Sequence, residues 1–261
     1  MQERVREVGY CMIEGVVPAG EVESVRDSVL AVVPDHRKPD SPPNVGAVSG
    51  LINYTQAFAP YLAEPRLLGL CKALLGEHVR VSFTSTIVNY PGNERGGWHA
   101  DWPFNQNNAG HVPAPYADAL MHLTTIWMLT PFRADNGATL IVPGSHRQSN
   151  NPTGDNGVDI YEPLPGELSV EGGAGSVMVM DSRMWHATSE NVSDGPRVGL
   201  AIRFAPWWLN LDVLMPGTDE CRRLVEEPGH KENRVPAVEP QVFEALPEEA
   251  KPLFRHWQKR D

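Results

Sequence analysis

Hydrophobic residues recur at helical spacing in two stretches near the start of the chain. The first stretch contains four valines spaced three or four residues apart and predicts an amphipathic helix: Val22, Val25, Val29 and Val32. Residues 60–75 carry a leucine-rich side, and Gly76 is placed to cap this second helix. A β-prone run at residues 10–17 precedes the first helix, and residues 34–44, rich in proline and charge, predict an exposed loop. The pattern predicts a mainly helical N-terminal part.

From residue 79 onward the pattern changes to short β-prone runs separated by clusters of Gly, Pro, Asn and Asp. These runs cover residues 79–90, 120–129, 139–143, 176–180 and 197–204. The chain holds 23 glycines and 24 prolines, which favour many turns over long helices. Several short strands between turns predict a β-sandwich or barrel. The proline-rich tail that follows predicts short helices around residues 219–227 and 247–257.

These elements predict one domain over residues 1–261 that is mainly β with flanking helices. A helical part at residues 1–78 precedes a barrel core at residues 79–205, and a tail at residues 206–261 packs back on the core. A length of 261 residues fits a single all-β domain. No internal repeat or low-complexity linker divides the sequence.

Charge and cysteine content narrow the class of partner and the compartment. The net charge of −11 argues against nucleic acid or an anionic membrane as the main partner. Three cysteines, widely spaced and odd in number, predict buried free thiols in a reducing compartment: Cys11, Cys71 and Cys221. The charged N-terminus lacks the apolar core of a signal peptide, and no apolar run is long enough to span a bilayer. These counts leave the oligomeric state open and predict a cytoplasmic protein.

The strongest chemical signal is a histidine and an aspartate two positions apart, His99 and Asp101. Side chains at this spacing share one face of an extended strand. Trp98 and Trp102 flank the pair, and a carboxylate is costly to bury there unless it is paired or bound to a cation. With a second histidine, His186, the pair makes a set of ligands typical of non-haem Fe(II) in oxygen chemistry. For the pair alone, a solvated His–Asp pair at a strand end is the alternative.

The β-prone run at residues 197–204 presents two contrasting faces. One face is apolar and predicts contact with a core: Val198, Leu200, Ile202 and Phe204. The other face has a cation at each end and two small residues between: Arg197, Gly199, Ala201 and Arg203. Because arginine pairs bidentately with carboxylates, this second face predicts the wall of a cavity for a small carboxylate. An exposed face with two solvated arginines is the alternative.

The remaining histidines carry weaker signals. His122 lies in an apolar run, where a hydrogen-bonded core or pocket histidine is expected. His146 follows a strand in a turn and is interpreted as structural. The others lie in polar or loop-like contexts and predict surface positions: His36, His78, His111, His230 and His256.

Taken in order, these residues resemble the phytanoyl-CoA dioxygenase-like Fe(II)/2-oxoglutarate oxygenases. The resemblance runs from about residue 81 to 204. It rests on the motifs Trp98-His99-Ala100-Asp101, Asn136-Gly137-Ala138-Thr139, Pro143-Gly144-Ser145-His146 and Trp185-His186-Ala187-Thr188, and on Arg197. The family implies a double-stranded β-helix, which is a jelly-roll, cupin-like barrel that holds the metal.

The resemblance also implies roles for individual residues and for three small molecules. His99, Asp101 and His186 match the Fe(II) ligands, and Arg197 matches the residue that binds the distal carboxylate of 2-oxoglutarate. Three more positions are expected to contact this cosubstrate: Thr188, Trp127 and Asn89. The implied reaction uses O2, decarboxylates 2-oxoglutarate to succinate and hydroxylates a C–H bond of a small organic molecule. Because related halogenases replace the metal carboxylate by a small residue, Asp101 disfavours halogenation.

Aromatic residues in the loops around the predicted site indicate where a substrate binds. The expected substrate pocket comprises Trp102, Phe104, Arg203 and Trp207 and suits an apolar or ring-bearing small molecule. The alternative is that these aromatics only pack the loops on the barrel. Two other functions stay open from the sequence: a protein or peptide hydroxylase on the same fold, and a non-enzymatic jelly-roll binding protein.

Overall fold

A computed structural model describes residues 1–102, 114–154, 157–229 and 234–259. Two antiparallel sheets make up its centre, a six-stranded sheet in the order β1-β7-β4-β9-β3-β2 and a three-stranded sheet in the order β6-β5-β8. The strands are β1 (Tyr10–Ile13), β2 (Val45–Ser49), β3 (Arg80–Asn89), β4 (Leu123–Met128), β5 (Thr139–Ile141), β6 (Leu168–Val170), β7 (Val177–Asp181), β8 (His186–Thr188) and β9 (Arg197–Ala205).

Helices flank the sheets at both ends of the chain. They are α1 (Gln2–Glu7), α2 (Val22–His36), α3 (Pro65–Leu75), α4 (Asp219–Cys221), α5 (Pro240–Ala245) and α6 (Lys251–Phe254). A π-helical turn at Arg222–Glu226 continues α4, and a 3-10 turn at Arg255–Trp257 follows α6. Among the residues placed in the structure, no helix is both long and apolar enough to cross a membrane.

The predicted helices form, with two corrections to their bounds. Helix α2 buries Val22, Val25 and Val29, and it extends through Pro34 to His36, so the predicted loop at residues 34–44 begins too early. The predicted helix at residues 60–75 is divided at Glu64, which has extended backbone (ψ 128°) before Pro65. A residue before proline is disfavoured in the helical region, so a new helix begins there.

The predicted β-prone runs all contain strands, and the structure adds three short ones, β2, β6 and β8. Strands β1 and β2 form the two edges of the six-stranded sheet, so residues 1–78 contribute strands as well as helices. The architecture is mainly β with flanking helices, and the predicted jelly-roll class is confirmed.

The two faces of the six-stranded sheet are buried against different partners. One face packs on the helices, and its core includes the four apolar residues predicted from the alternation in β9. The other face packs on the three-stranded sheet through a second apolar cluster that includes Ile126, Met128, Met178, Ile141 and Val170. Burial of the second cluster holds the two sheets together, and burial of the first holds the helices on the large sheet.

Strand β9 lies at the centre of the large sheet and sets the position of the site. Its register pairs Arg197 with Asn89 on β3 and Arg203 with Thr124 on β4. Gly199 and Ala201 lie between the two arginines, and their small side chains leave space between the sheets. The cysteines at positions 11, 71 and 221 are all buried, as predicted.

Candidate active site

Three side chains with metal-ligating atoms converge between the two sheets: His99, Asp101 and His186. Their ligand atoms all lie within 4.8 Å of one another. The Nε2 atom of His99 is 4.0 Å from Oδ1 of Asp101, and Nε2 of His186 is 3.7 Å from Oδ2. Backbone hydrogen bonds in both directions join His99 to His186, so the segment with the first histidine is fixed beside β8.

His99 and Asp101 point to the same site without forming the predicted regular strand. His99 forms a single isolated bridge to His186, and Asp101 lies in the bend that follows. The backbone N–H groups of Asp101 and Trp102 both donate to the carbonyl oxygen of Ser182, at 2.8 and 3.0 Å. These two bonds replace a strand ladder in holding the aspartate toward the histidines.

Each candidate histidine ligand is oriented by a backbone carbonyl. Nδ1 of His99 lies 3.0 Å from the carbonyl oxygen of Gly97, and Nδ1 of His186 lies 3.0 Å from that of Met184. A carbonyl oxygen only accepts, so each Nδ1 carries the proton and donates. Each Nε2 then presents its lone pair to the centre of the cluster, which is the arrangement that a metal ion requires.

Asp101 is a buried anion with a cation beside it. Its Oδ1 accepts a hydrogen bond from Nη2 of Arg203 at 2.5 Å, and its Oδ2 accepts one from Oγ1 of Thr124 at 2.7 Å. Burial alone would raise the pKa of Asp101, but Arg203, the two histidines and Thr124 together hold that pKa well below its usual range. The carboxylate therefore stays ionised at neutral pH.

The donor set fits a divalent transition metal. Burial, together with the neighbouring His99, lowers the pKa of His186 to about 4, so its imidazole is neutral at physiological pH. Two neutral imidazoles and one carboxylate are the ligands found around non-haem Fe(II) with open coordination positions. The side chain of His99 is 44% exposed whereas that of Asp101 is 4% exposed, so the cluster opens toward solvent on the His99 side.

Arg197 is a buried cation in the same cavity. It is 3% exposed, its Nε donates to the carbonyl oxygen of Gly137 at 2.7 Å, and its guanidinium lies 4.5 Å from the ring centre of Phe132. No carboxylate of the described part of the chain lies within 4.0 Å of it. Burial lowers its pKa to about 9, so it remains charged at neutral pH. A buried cation without a counter-charge fits an anionic ligand.

One cavity connects Arg197 with the three candidate metal ligands. All four residues of the small-residue face of β9 line this cavity, from Arg197 to Arg203. Thr188 lines it as well, together with Ile87, Ile126 and Thr139. The cavity therefore brings a cluster of metal-ligating atoms, a buried cation and an apolar wall into one space.

Asn89 lies beside Arg197, where it lines a groove next to this cavity. Its Nδ2 donates to the carbonyl oxygen of Gly137 at 3.0 Å, the same oxygen that Arg197 contacts. Its Oδ1 is buried with no hydrogen-bond partner among the described residues. An unpartnered buried acceptor is costly, so this oxygen suits a water molecule or a ligand group that carries an N–H or O–H.

Two of the expected site residues lie elsewhere. Trp127 is fully buried in the core against the helices, because it alternates with Ile126, which faces the cavity. Its Nε1 donates to Oγ1 of Thr125 at 2.9 Å. Trp207 is 56% exposed and lines a separate pocket with Lys72. Neither Trp127 nor Trp207 therefore lines the cavity of the candidate metal ligands.

The other expected substrate-pocket residues have three different outcomes. Trp102 is buried and stacks on His122, with ring centres 5.9 Å apart, so it packs behind the cluster. Arg203 lines the cavity but donates to Asp101. Phe104 lies outside the described residues.

Replacing Gly199 by alanine should weaken binding at Arg197. A Cβ atom at this position would lie 2.9 Å from Cζ of Phe132 and 3.2 Å from Nη1 of Arg197. The added methyl group would press on the guanidinium and on the ring over which it lies. We therefore expect the KM for 2-oxoglutarate, the cosubstrate that the family resemblance implies, to rise about tenfold with little change in kcat. Gly195→Ala is the matched control, since a Cβ there meets nothing within 4 Å. Equal KM values in both variants would contradict this role of the small residue.

Three polar residues behind Asp101 were not predicted as part of the site. Thr124 contacts Asp101, Ser182 contacts Thr124 at 2.8 Å, and His122 contacts Ser182 at 2.8 Å. The apolar run around His122 predicts a hydrogen-bonded core or pocket histidine, and the structure places His122 in the core. Its link to the site could not be predicted, because its partner Ser182 is 60 residues away in the sequence.

Acid should destabilise the metal-free protein because His122 and His186 are buried in neutral form. Burial, with the charge of Arg203, lowers the pKa of His122 to about 3, and that of His186 is about 4, against 6.5 for an ordinary histidine. Below pH 6.5 the unfolded chain binds protons that the folded chain does not. The stability present above pH 6.5 is thus lost as the pH falls toward 4.

We expect the free energy of unfolding to be lower at pH 5 than at pH 7 by about 2 kcal/mol for each of these histidines. Urea unfolding with a chelator present measures the difference. His122→Asn should remove about half of it. Equal stability at the two pH values in the wild type would show that these histidines are not buried in neutral form.

Comparison with known proteins places the chain in a family and a fold. The family model described as phytanoyl-CoA dioxygenase (PhyH) matches residues 5–199. The dioxygenase af480 of Aspergillus fumigatus is 34% identical over 134 residues, which are 51% of this chain and 39% of that protein. The ectoine dioxygenase of Nocardia farcinica is 26% identical over 228 residues and covers 75% of this chain and 74% of its own length.

A solved structure shares the fold at low sequence identity. The epimerase SnoN, solved with Fe3+, alpha ketoglutarate and nogalamycin RO, superposes with a TM-score of 0.62 at 20% identity. The match covers 78% of this chain and 82% of SnoN. This likeness supports the two-sheet architecture described above.

Proposed function

The chain belongs to the phytanoyl-CoA dioxygenase (PhyH) family, and from this premise we propose that it is an Fe(II)- and 2-oxoglutarate-dependent dioxygenase acting on a small organic molecule. The observation that carries the proposal is the shared cavity of His99, Asp101, His186 and Arg197. A structural metal site would need neither an open side nor an uncompensated buried arginine next to it.

In this proposal His99, Asp101 and His186 hold Fe(II), and Arg197 holds the distal carboxylate of 2-oxoglutarate. With O2 and 2-oxoglutarate, Fe(II) supplies oxidative decarboxylation to succinate and CO2, coupled to oxidation of a substrate C–H bond. Asp101 contributes an anion that burial keeps from being screened by water. The two carbonyl-bound histidines contribute neutral nitrogen ligands of fixed orientation.

The cosubstrate end of the cavity is built for one carboxylate. Arg197 supplies the charge and Thr188 supplies a hydroxyl from β8, while Oδ1 of the neighbouring Asn89 can accept a hydrogen bond from water beside the bound carboxylate. Gly199 and Ala201 leave room for the carbon chain between this end and the metal ligands. Binding at Arg197 would therefore orient 2-oxoglutarate with its keto-acid end toward a metal held by the three ligands.

The substrate approaches from the side of His99, which is the exposed side of the cluster. A groove of about 660 Å³ includes Gly97, two residues before His99, and shares Ile87 and Thr188 with the metal cavity. Its lining is mixed and more apolar than polar: Pro42, Pro43 and Val45 lie beside Asn44, Asn93 and Glu94. A small organic substrate that carries both apolar and polar groups suits this lining, and one relative is named an ectoine dioxygenase.

Succinate formation from 2-oxoglutarate in the presence of Fe(II) and air tests the proposal. We expect slow turnover without substrate and a marked increase with a member of a panel of small metabolites, both polar and ring-bearing, with one oxidised product per succinate. The chelated enzyme should be inactive and recover when Fe(II) is restored. No succinate above the chelated control, with or without the panel, would reject the dioxygenase function and favour the alternative of a non-enzymatic binding protein.

A further inference from the structure

Four buried polar side chains form a continuous line of contacts that ends on Asp101. Oγ of Ser82 lies 2.8 Å from Nε2 of His122, and Nδ1 of His122 lies 2.8 Å from Oγ of Ser182. Oγ of Ser182 lies 2.8 Å from Oγ1 of Thr124, which lies 2.7 Å from Oδ2 of Asp101. Ser82, His122, Ser182 and Thr124 are at most 3% exposed. We call these residues the Ser82–Asp101 chain.

We infer that the Ser82–Asp101 chain donates hydrogen in one direction only, from Ser82 to Asp101, and that Thr124, held in place by Ser182 and His122, is a positioning residue for this metal ligand. The part about the metal rests on the proposed function, whereas the direction of donation is a property of the protein alone. No family motif quoted above includes Ser82, His122, Ser182 or Thr124.

The direction follows from counting hydrogens. An ionised carboxylate accepts only, so the single hydroxyl hydrogen of Thr124 lies between Thr124 and Asp101. The contact between Ser182 and Thr124 then takes the hydrogen of Ser182. No hydroxyl hydrogen remains for the contact between Ser182 and His122, so Nδ1 of His122 must carry one and donate it.

The remaining contact fixes the far end of the chain. His122 is neutral at physiological pH because burial and the charge of Arg203 lower its pKa to about 3. With its proton on Nδ1, its Nε2 accepts, and the hydroxyl of Ser82 donates. The alternative tautomer would leave two oxygens 2.8 Å apart, on Ser182 and Thr124, with no hydrogen between them.

This order of donors and acceptors fixes the carboxylate of Asp101. A hydroxyl that accepts from Ser182 and donates to Asp101 is held on both sides and cannot rotate away from the carboxylate. Thr124 on one oxygen and Arg203 on the other fix the plane of the carboxylate, and a lone pair on each oxygen remains for the metal. Partners of this kind typically change metal affinity 10- to 100-fold when removed.

The tautomer of His122 tests the direction in the metal-free protein. Long-range proton–nitrogen NMR spectra should show the Nδ1–H form in the wild type. In Thr124→Val, the hydroxyl of Ser182 loses its acceptor and becomes free to donate to Nδ1, so the ring should shift toward the Nε2–H form. An Nε2–H tautomer in the wild type, or no response in Thr124→Val, would overturn the inference.

Calorimetric binding of Ni(II) tests the effect on the metal site. Thr124→Val should raise the Kd about 10- to 100-fold, and Thr124→Ser, which keeps the hydroxyl, should restore it to within about threefold of the wild type. Thr125→Val is the matched control: it removes a buried hydroxyl from the opposite face of β4, which bonds the carbonyl oxygen of Ile202. This control should lower Tm and leave the Kd unchanged.

A wild-type Kd in Thr124→Val, or the same increase in Thr125→Val, would overturn the positioning role. A wild type that binds no Ni(II) would contradict the proposed function and, with it, the positioning role. The tautomer of His122 would still decide the direction of donation, so the two failures are distinguishable.

Discussion

Replacing Asp101 by alanine is expected to abolish turnover and to weaken divalent metal binding by at least about a hundredfold. The substitution removes the one anionic ligand of the cluster, and a lost ligand costs more than a lost partner of a ligand. Succinate formation and calorimetric metal binding measure the two effects. Hydroxylation that survives in Asp101→Ala would mean that the ligands are assigned to the wrong residues.

The fold of this variant needs a separate check, because Arg203 loses its partner. An unpaired buried charge costs about 3–5 kcal/mol, enough to unfold a marginal domain. Asp101→Asn keeps one oxygen to accept from Arg203 and turns an amide N–H toward Thr124, whose hydroxyl oxygen can accept it. The negative charge is removed, so this variant should fold and still lack turnover. Asp181→Asn is the control, since Asp181 is equally buried and paired with Arg183 outside the cavity. It should lower stability and retain metal binding.

Replacing Arg197 by methionine is expected to raise the KM for 2-oxoglutarate about a hundredfold or more while the protein stays folded. Truncating one partner of a desolvated charge pair costs about 2–5 kcal/mol of binding free energy. The metal-free protein should lose little stability, because Arg197 is a buried cation without a carboxylate partner in the described part of the chain. Initial rates at varied 2-oxoglutarate and thermal unfolding measure both effects.

Arg183→Met gives the opposite pattern and serves as the control for Arg197. Arg183 is also buried, but its guanidinium is bound to Asp181 at 2.7 Å and does not line the metal cavity. The control should lose stability and keep its KM for 2-oxoglutarate. If Arg197→Met instead left the KM unchanged, Arg203 would become the candidate for the cosubstrate carboxylate.

The parts of the fold that can be predicted from the sequence are those marked by a local pattern of residues. The alternation in β9 predicts both its apolar face and the small-residue face that lines the cavity. The valine spacing predicts α2, and the family motifs predict which two histidines meet Asp101. Each of these patterns is formed by residues that are close together in the sequence.

The parts that escaped prediction depend on contacts between distant segments. Strand β8 has three residues and exists through pairing with β5, so no periodicity marks it. Trp127 faces the helices because the pairing of β4 with β9 places Thr124, opposite Arg203, on the cavity side. Arg203 meets a carboxylate 102 residues earlier in the chain. Neither alternation nor composition contains this information.

The central claim is that His99, Asp101, His186 and Arg197 form one site for Fe(II) and 2-oxoglutarate. Anaerobic titration of the Fe(II)-loaded protein with 2-oxoglutarate, followed by visible absorption, tests it most directly. We predict a weak charge-transfer band that saturates at one equivalent per chain in the wild type and in Arg183→Met. The band should require far more 2-oxoglutarate in Arg197→Met and be absent in Asp101→Asn. No band in the wild type, or the same titration curve in all variants, would contradict the account.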